Sequence, residues 1–408
     1  GGEAYSAGED GRQAPGLIAI SASRDATATN QEGGSIETSG DSSSGIVALA
    51  PHGTAAAENY GQVTVNGEVD GIEAGELVNI VLGAGEPAYS EEVAAKYLAT
   101  GVVAIGDRAT VWNHEGATVT GTGKDASGML AVATSTEYAA LARNDGTITT
   151  AQTEGYHDAA FGMVAIGGEG GAGVNNTGDI QTGGLLGFGA LAAADGDAVG
   201  YNSGTITTGS SETAGDDLGG FGIAAASLSG TAYVKNSGDI ETFGSAGLGA
   251  VAIAGGTPDG LGEPGGHFLE LAKYLPDIVA EYGTALVRND ADASIVTHGD
   301  FGIGTAAIGF LAGVENHGSI QTDGLASMGA VALGLYASAY NAAGATITTG
   351  AADGDGIAAV GMLAGGLGMG AVKNDGTITT YDTGGIAAAA IGAKYAVAQN
   401  GEGGDITT

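Results

Sequence analysis

Six histidines are the first place to look for catalysis in this chain: His52, His114, His157, His267, His298 and His317. A general base needs a partner within hydrogen-bond reach, and the motifs that guarantee one place a second His, a Ser or a Glu at a fixed offset. None of the six has such a neighbour in sequence, and most stand beside Gly or an acid. Acidic pairs come second. "ADGDA" (Asp195, Asp197), "AGDD" (Asp216, Asp217) and "ADGDG" (Asp353, Asp355) could offer carboxylate and turn-carbonyl oxygens to Ca²⁺. They match neither the EF-hand loop nor the Ca²⁺-binding nonapeptide repeat. Ca²⁺ is therefore the sole cofactor these residues allow. Paired carboxylates also hydrolyse glycosides when a cleft sets their separation. Here the acids are spread along the chain and cations to hold an acidic sugar are scarce. The run "GTGKDAS" at 121–127 has the shape of a phosphate loop, but Thr118 stands where that loop needs its first Gly. No enzyme is expected.

Charge narrows the partners. Lys and Arg number 11 against 47 Asp and Glu, so 11 − 47 gives −36. A field of that sign repels nucleic acid and anionic membranes. There is no Cys, so disulfides and thiolate metal sites are excluded. No run of about 18 apolar residues is present, so no membrane-inserted helix is expected. The opening "GGEAYSAGEDG" has neither a charged leader nor an apolar core, so any signal peptide is expected to have been removed or never present. Gly is abundant, at 80 of 408 residues, yet 43% hydrophobic content with regular spacing argues against disorder.

That spacing is a repeat. An Asn recurs at Asn30, Asn66, Asn113, Asn144, Asn176, Asn202, Asn236, Asn289, Asn316, Asn341, Asn374 and Asn400, with gaps of 25 to 53 residues. Most units read N-x-G-x-I-x-T, then a Gly-rich turn, then an apolar run such as "GIVALA" or "GMVAIG". In some units the Ile follows the Asn by six residues instead of four, which predicts a bulge at one corner. Alternation with period two makes each segment a short strand. One coil cannot bury its own Ile, Val and Ala, but stacked coils can, at about 4.8 Å per strand. The expected fold is an all-β parallel β-solenoid of about twelve coils, one domain over 1–408. Asn at one corner of every coil predicts an amide ladder that includes Asn144, Asn176, Asn202, Asn236, Asn316 and Asn374. The Thr after the Ile predicts a second, outward ladder. Arg143, Lys235, Arg288 and Lys373, each just before an Asn, predict an outward column that pairs locally with acids.

The phrase N-x-G-x-I-x-T-x-G…G-I-x-A resembles the repeats of autotransporter-type passenger proteins of Gram-negative bacteria, over nearly the whole chain. The resemblance implies a right-handed β-helix, secreted and displayed at the cell surface, adhesive or structural.

Two stretches break the period, at 84–100 and 256–284. In the longer one Phe268, Leu271, Leu275, Ile278, Val279 and Tyr282 fall at helical spacing, so both are expected as short helical insertions. The last unit, "NGEGGDITT", supplies Asn400, Ile406 and Thr408 and stops at its Thr. The first unit enters through Leu17, Ile18 and Ile20 and lacks the N-x-G-x-I-x-T half. Each half would complete the other between copies, which predicts an extracellular filament of self-associating subunits. The alternatives are a monomeric surface adhesin, contacting other surface molecules or cells, and a polysaccharide-active β-helix enzyme.

Overall fold

The computed structural model describes residues 3–7, 15–39, 43–66, 100–122, 126–150, 159–183, 186–209, 219–255, 283–350 and 358–408. The expected helical insertions at 84–100 and 256–284 lie almost wholly outside them. The described chain is all strand, turn and bend. It winds as a parallel β-solenoid with two stacks, a sheet of 13 short strands and a sheet of 19 longer ones. One coil shows the plan. Strand Ser127–Ala133 turns a corner into Ala140–Asn144, and Asn144 turns the next corner into Thr147–Thr150. Each strand pairs in parallel with its counterpart in the next coil: Ile148 lies beside Ile180, and Asn144 beside Asn176. Twelve Asn corners bound eleven steps, and the solenoid has about ten turns.

Small side chains set the narrow cross-section. The inward faces carry Ala109, Ala140, Ala165, Ala192 and their counterparts, fully buried, against the Ile column of the short sheet. The two walls approach so closely that Gly is required in the long strands. A Cβ on Gly128, Gly162, Gly189 or Gly222 would lie 2.2–2.4 Å from the Cγ2 of Ile148, Ile180, Ile206 or Ile240. The Gly of the "GIVALA"-type run is therefore a packing residue, fixed by the Ile it faces.

The amide ladder runs the length of the solenoid. Eleven side-chain bonds of 2.8–2.9 Å link Asn30 to Asn400 through successive coils. Its second member is Asn59; Asn66, expected there, lies exposed after strand Gln62–Val65. The segment Asn59-Tyr-Gly-Gln-Val-Thr-Val65 is the motif in register, with Val63 at the Ile position. The bulged corners are confirmed. Each holds a left-handed residue three positions after its Asn: Gly33, Gly116, Asp292, Gly344 and Gly403, with φ between 67° and 103°.

The Thr expectation is half right. The residue directly after each Ile points outward, as at Thr149 and Thr207, but the Thr that closes the motif points inward. Thr150, Thr182, Thr208, Thr242, Thr297, Thr322, Thr349 and Thr380 stack in register and are buried. Period two dictates this, since Thr at Ile+2 shares the Ile face. None of these hydroxyls has a hydrogen-bond partner among the described residues.

The first coil also differs from expectation. Strand Glu3–Ala7 pairs with Ser35–Ser39, Ala4 beside Ile36 and Ser6 beside Thr38. It occupies the short-sheet position for which no N-x-G-x-I-x-T motif is present, because small residues in alternation satisfy the backbone ladder there. The two end coils therefore do not leave complementary halves. Each presents one short-sheet strand and two long-sheet strands.

Candidate functional site

The side chains with chemistry to offer flank the Asn ladder. Each ladder Asn turns inward at a corner, so alternation throws the residue before it outward. The residue after it begins the turn. Two files result, one of residues such as Trp112, Arg143, Lys235, Arg288, Tyr340 and Lys373, the other including Tyr60, His114, Asp145, Asp290, His317 and Asp375.

The cations expected as a column do stand in it, each beside an acid. Arg143 pairs with Asp145 at 2.9 Å, and Lys373 with Asp375. Asp290 takes three donors: Lys235 Nζ at 2.8 Å, Arg288 Nε at 2.7 Å and Ser237 Oγ at 2.7 Å. Burial alone would raise the Asp290 carboxyl; the hydrogen bonds from Lys235, Ser237 and Arg288 outweigh it and bring it to about 2. Asp145 repeats the logic. Burial opposes its ionisation, and bonds from Arg143, Thr177 and Trp112 hold it below the ordinary carboxylate value.

Rings add a second brace. Tyr60 stacks on His114 at 3.6 Å and His114 on Trp112 at 3.8 Å, while the Arg143 guanidinium lies 4.5 Å from the Trp112 ring centre. Trp112 is thus engaged by both the His114 ring and the Arg143 guanidinium. Burial pushes the His114 imidazole below its ordinary value, against the pull of Glu58 and Asp145.

An open groove lies one step along the same strands. Gly173 sits in register between Leu141 of one coil and Val199 of the next, so the outward face dips where its side chain would be. Leu141, Gly173, Val199 and the exposed ring of Tyr201 form its floor and wall, with Arg143, Asn175 and Asp197 on the rim. Tyr233 meets Tyr201 edge-on at 5.8 Å, and burial pushes its hydroxyl up to about 12, so it is a neutral donor at any physiological pH.

Of the Ca²⁺ candidates, Asp195 and Asp197 form the turn after strand Leu186–Ala194. There the Asp197 carboxylate accepts the Thr231 N–H at 2.8 Å, and the Asp195 carbonyl accepts the Ser229 N–H at 2.8 Å. These bonds staple the turn to the next coil. Asp216, Asp217, Asp353 and Asp355 lie outside the described residues. Among the described residues no three of His, Asp and Glu gather as a metal-ligand set. The residues expected at a subunit contact lie on the end coils. Ile18, Ile20, Ile406 and Thr408 are exposed, Leu17 is half-buried against the core, and Asn400 closes the ladder, accepting from Asn374 at 2.8 Å. Sequence reasoning missed the Tyr60–His114–Trp112 stack, the Gly173 groove and the contacts of His298. The signal was register: once the Asn residues are aligned, the residues beside them align too.

Residues 83–226, which is 144 of 408, match a family described as the BigA third pectate lyase-like domain. No curated protein and no solved structure matches the chain. The family match and the coil architecture together identify a β-helix repeat protein.

Proposed function

We propose that the chain is a structural, non-enzymatic β-solenoid of a bacterial surface, and that its copies join end to end by stacking coil on coil. The surface placement draws on the matched family, one of bacterial surface proteins, and on the likeness of the repeats to autotransporter passengers. The joining rests on one observation. The first coil presents Glu3–Ala7, Leu17–Ile20 and Ala26–Asn30, and the last presents Asp405–Thr407, Ile386–Gly392 and Tyr395–Asn400. These are the same three strand positions, paired on one side only among the described residues. Ile18 and Ile20 are exposed on one, and Ile391, Tyr395 and Ile406 on the other. Open backbone edges with exposed apolar side chains favour pairing with a further coil. A heterologous contact of this kind extends into a filament unless its rotation closes a ring.

Sedimentation velocity over a concentration series tests it, with Ile406→Asp as the altered end. Wild-type particles that lengthen with concentration, while the variant stays single, support the reading. Single particles in both overturn it. A second reading, an adhesin contact through the side of the rod, is favoured by the Gly173 groove. Filling it with Gly173→Leu would abolish binding to target cells. The non-enzymatic part is tested by incubation with polyuronates and neutral polysaccharides; depolymerisation by the pure protein would contradict it.

A further inference from the structure

One coil that departs far from the repeat is also held by a histidine. Strands Leu248–Ala254 and Thr284–Asn289 both pair with the single strand Ile303–Asn316, so they belong to one coil although residues 255–283 separate them. That coil continues through Ser294–Thr297 into His298. The His298 ring reaches both ways along the solenoid axis. Its Nδ1 lies 3.0 Å from Asp323 Oδ2 in the following coil, and its Nε2 lies 3.0 Å from Glu241 Oε1 in the preceding one. The Phe243 ring lies nearly parallel at 4.6 Å. The backbone is tied across the same coils, His298 N–H to Thr242 O at 2.8 Å and Asp323 N–H to Thr297 O at 2.9 Å.

A carboxylate only accepts hydrogen bonds. A neutral imidazole has one N–H and one lone pair, so it can satisfy one of these acids and must turn a lone pair on the other. Only the imidazolium donates to both. We propose that His298 is a proton-operated clasp: protonated, it ties the coil interrupted by residues 255–283 to the coils on either side; deprotonated, it releases one of them. The charged groups facing the ring are Glu241, from strand Asp239–Thr242, and Asp323, after strand Ser319–Thr322. Gln321 donates to Asp323 at 3.0 Å. No Lys or Arg occurs in the strands of the short sheet, so no cation there competes for either acid.

The electrostatics agree with the geometry. The Asp323 bond raises the imidazole above its ordinary value, burial opposes, and Glu241 adds to the rise. The His298 bond in turn lowers Asp323. A raised folded-state value means stabilisation present in full below the unfolded value of 6.5 and lost as pH rises through the folded value. Asp323 sets the acid limit, since its contribution fades as pH falls below its ordinary carboxylate range. The clasp is closed from mildly acid to near-neutral pH.

Hydrogen–deuterium exchange of the full chain between pH 5.5 and 8.5, corrected for intrinsic rates, reads this directly. Peptides covering 294–300 and 319–325 should lose protection progressively across that range. Peptides around 174–182 should not change. His298→Gln should flatten the profile. Glu241→Gln and Asp323→Asn should each move the transition to lower pH, a shift that a purely steric role would not produce. Identical pH profiles in wild type and His298→Gln, or a His298 ring that titrates at or below its ordinary value by NMR, would overturn the proposal.

Discussion

Asn236 donates its side-chain amide N–H to the side-chain oxygen Oδ1 of Asn289 at 2.9 Å, although Asn289 lies 53 positions further along the chain. Asn289 donates to Asn316 at the same distance, with a separation of only 27. The ladder is indifferent to what the chain does between rungs. Loop-closure cost grows only slowly with length, so a coil can carry a long excursion and still return to register. What fixes the register is the Asn corner, where a buried amide must find its partners.

Replacing Asn289 by Ala should therefore cost more than its few contacts suggest. The Asn316 side-chain oxygen would lose its donor in a buried position, and the Asn236 amide would keep only the Gly238 and Ser294 carbonyls. With one orphaned group, the loss is about 1–3 kcal/mol before relaxation. Because solenoids open locally, native-state hydrogen exchange across residues 284–297 is the suitable readout. Protection equal to wild type would contradict the ladder's role.

Gly249 and Gly33 should respond differently to Ala. A Cβ on Gly249 would meet Ile295 Cγ2 at 2.3 Å and the Gly304 carbonyl oxygen at 2.5 Å, so Gly249→Ala must push the two walls apart. Overpacking of this kind costs about 1–3 kcal/mol. Gly33 has open space around its Cβ position but a φ of 72°, so Gly33→Ala costs only the left-handed strain, about 1–2 kcal/mol. Denaturant midpoints should show Gly249→Ala as the larger loss.

The Thr column predicts a gain. Thr297 is buried with its hydroxyl unpartnered among the described residues, packed toward Gly302, whose Cβ position lies 2.8 Å away. Thr297→Val keeps the β-branched shape and removes the unsatisfied hydroxyl. It should stabilise by about 1 kcal/mol, seen as a higher melting temperature. A clear loss would mean that the hydroxyl has a partner in solution.

Acid should loosen the rod at the ion pairs. The Asp290 carboxyl is brought down to about 2 in the fold from an ordinary 3.8. A lowered folded value means stabilisation present above 3.8 and lost as pH falls toward 2. Exchange protection around Lys235, Arg288 and Asp290 should fall over that window, and Asp290→Asn should remove the dependence. An unchanged acid profile in the variant would contradict the assignment.

Much of the fold was legible because period and corner chemistry are local. The Ile and Gly columns, the Asn ladder and the bulged corners all follow from spacing. Asn59 escaped because Val63 and Val65 replace Ile and Thr, which preserves the physics and hides the motif. Strand Glu3–Ala7 escaped for a similar reason, since backbone pairing asks only for alternation. The inward Thr column was legible in principle, because period two puts it on the Ile face. Beyond the cation column, the side surface was not legible. The Trp112 stack, the Gly173 groove and the His298 contacts join residues from different coils, and irregular gaps between coils scatter them in sequence.

End-to-end stacking of the solenoids is the proposal with the plainest readout. Negative-stain electron microscopy of the purified chain beside Ile406→Asp tests it most directly. Stacked copies should give unbranched fibres with an axial repeat of about 55–60 Å per subunit, from strands spaced at about 4.8 Å, and the variant only single short rods. Single rods of one length in both samples, at every concentration, would contradict it.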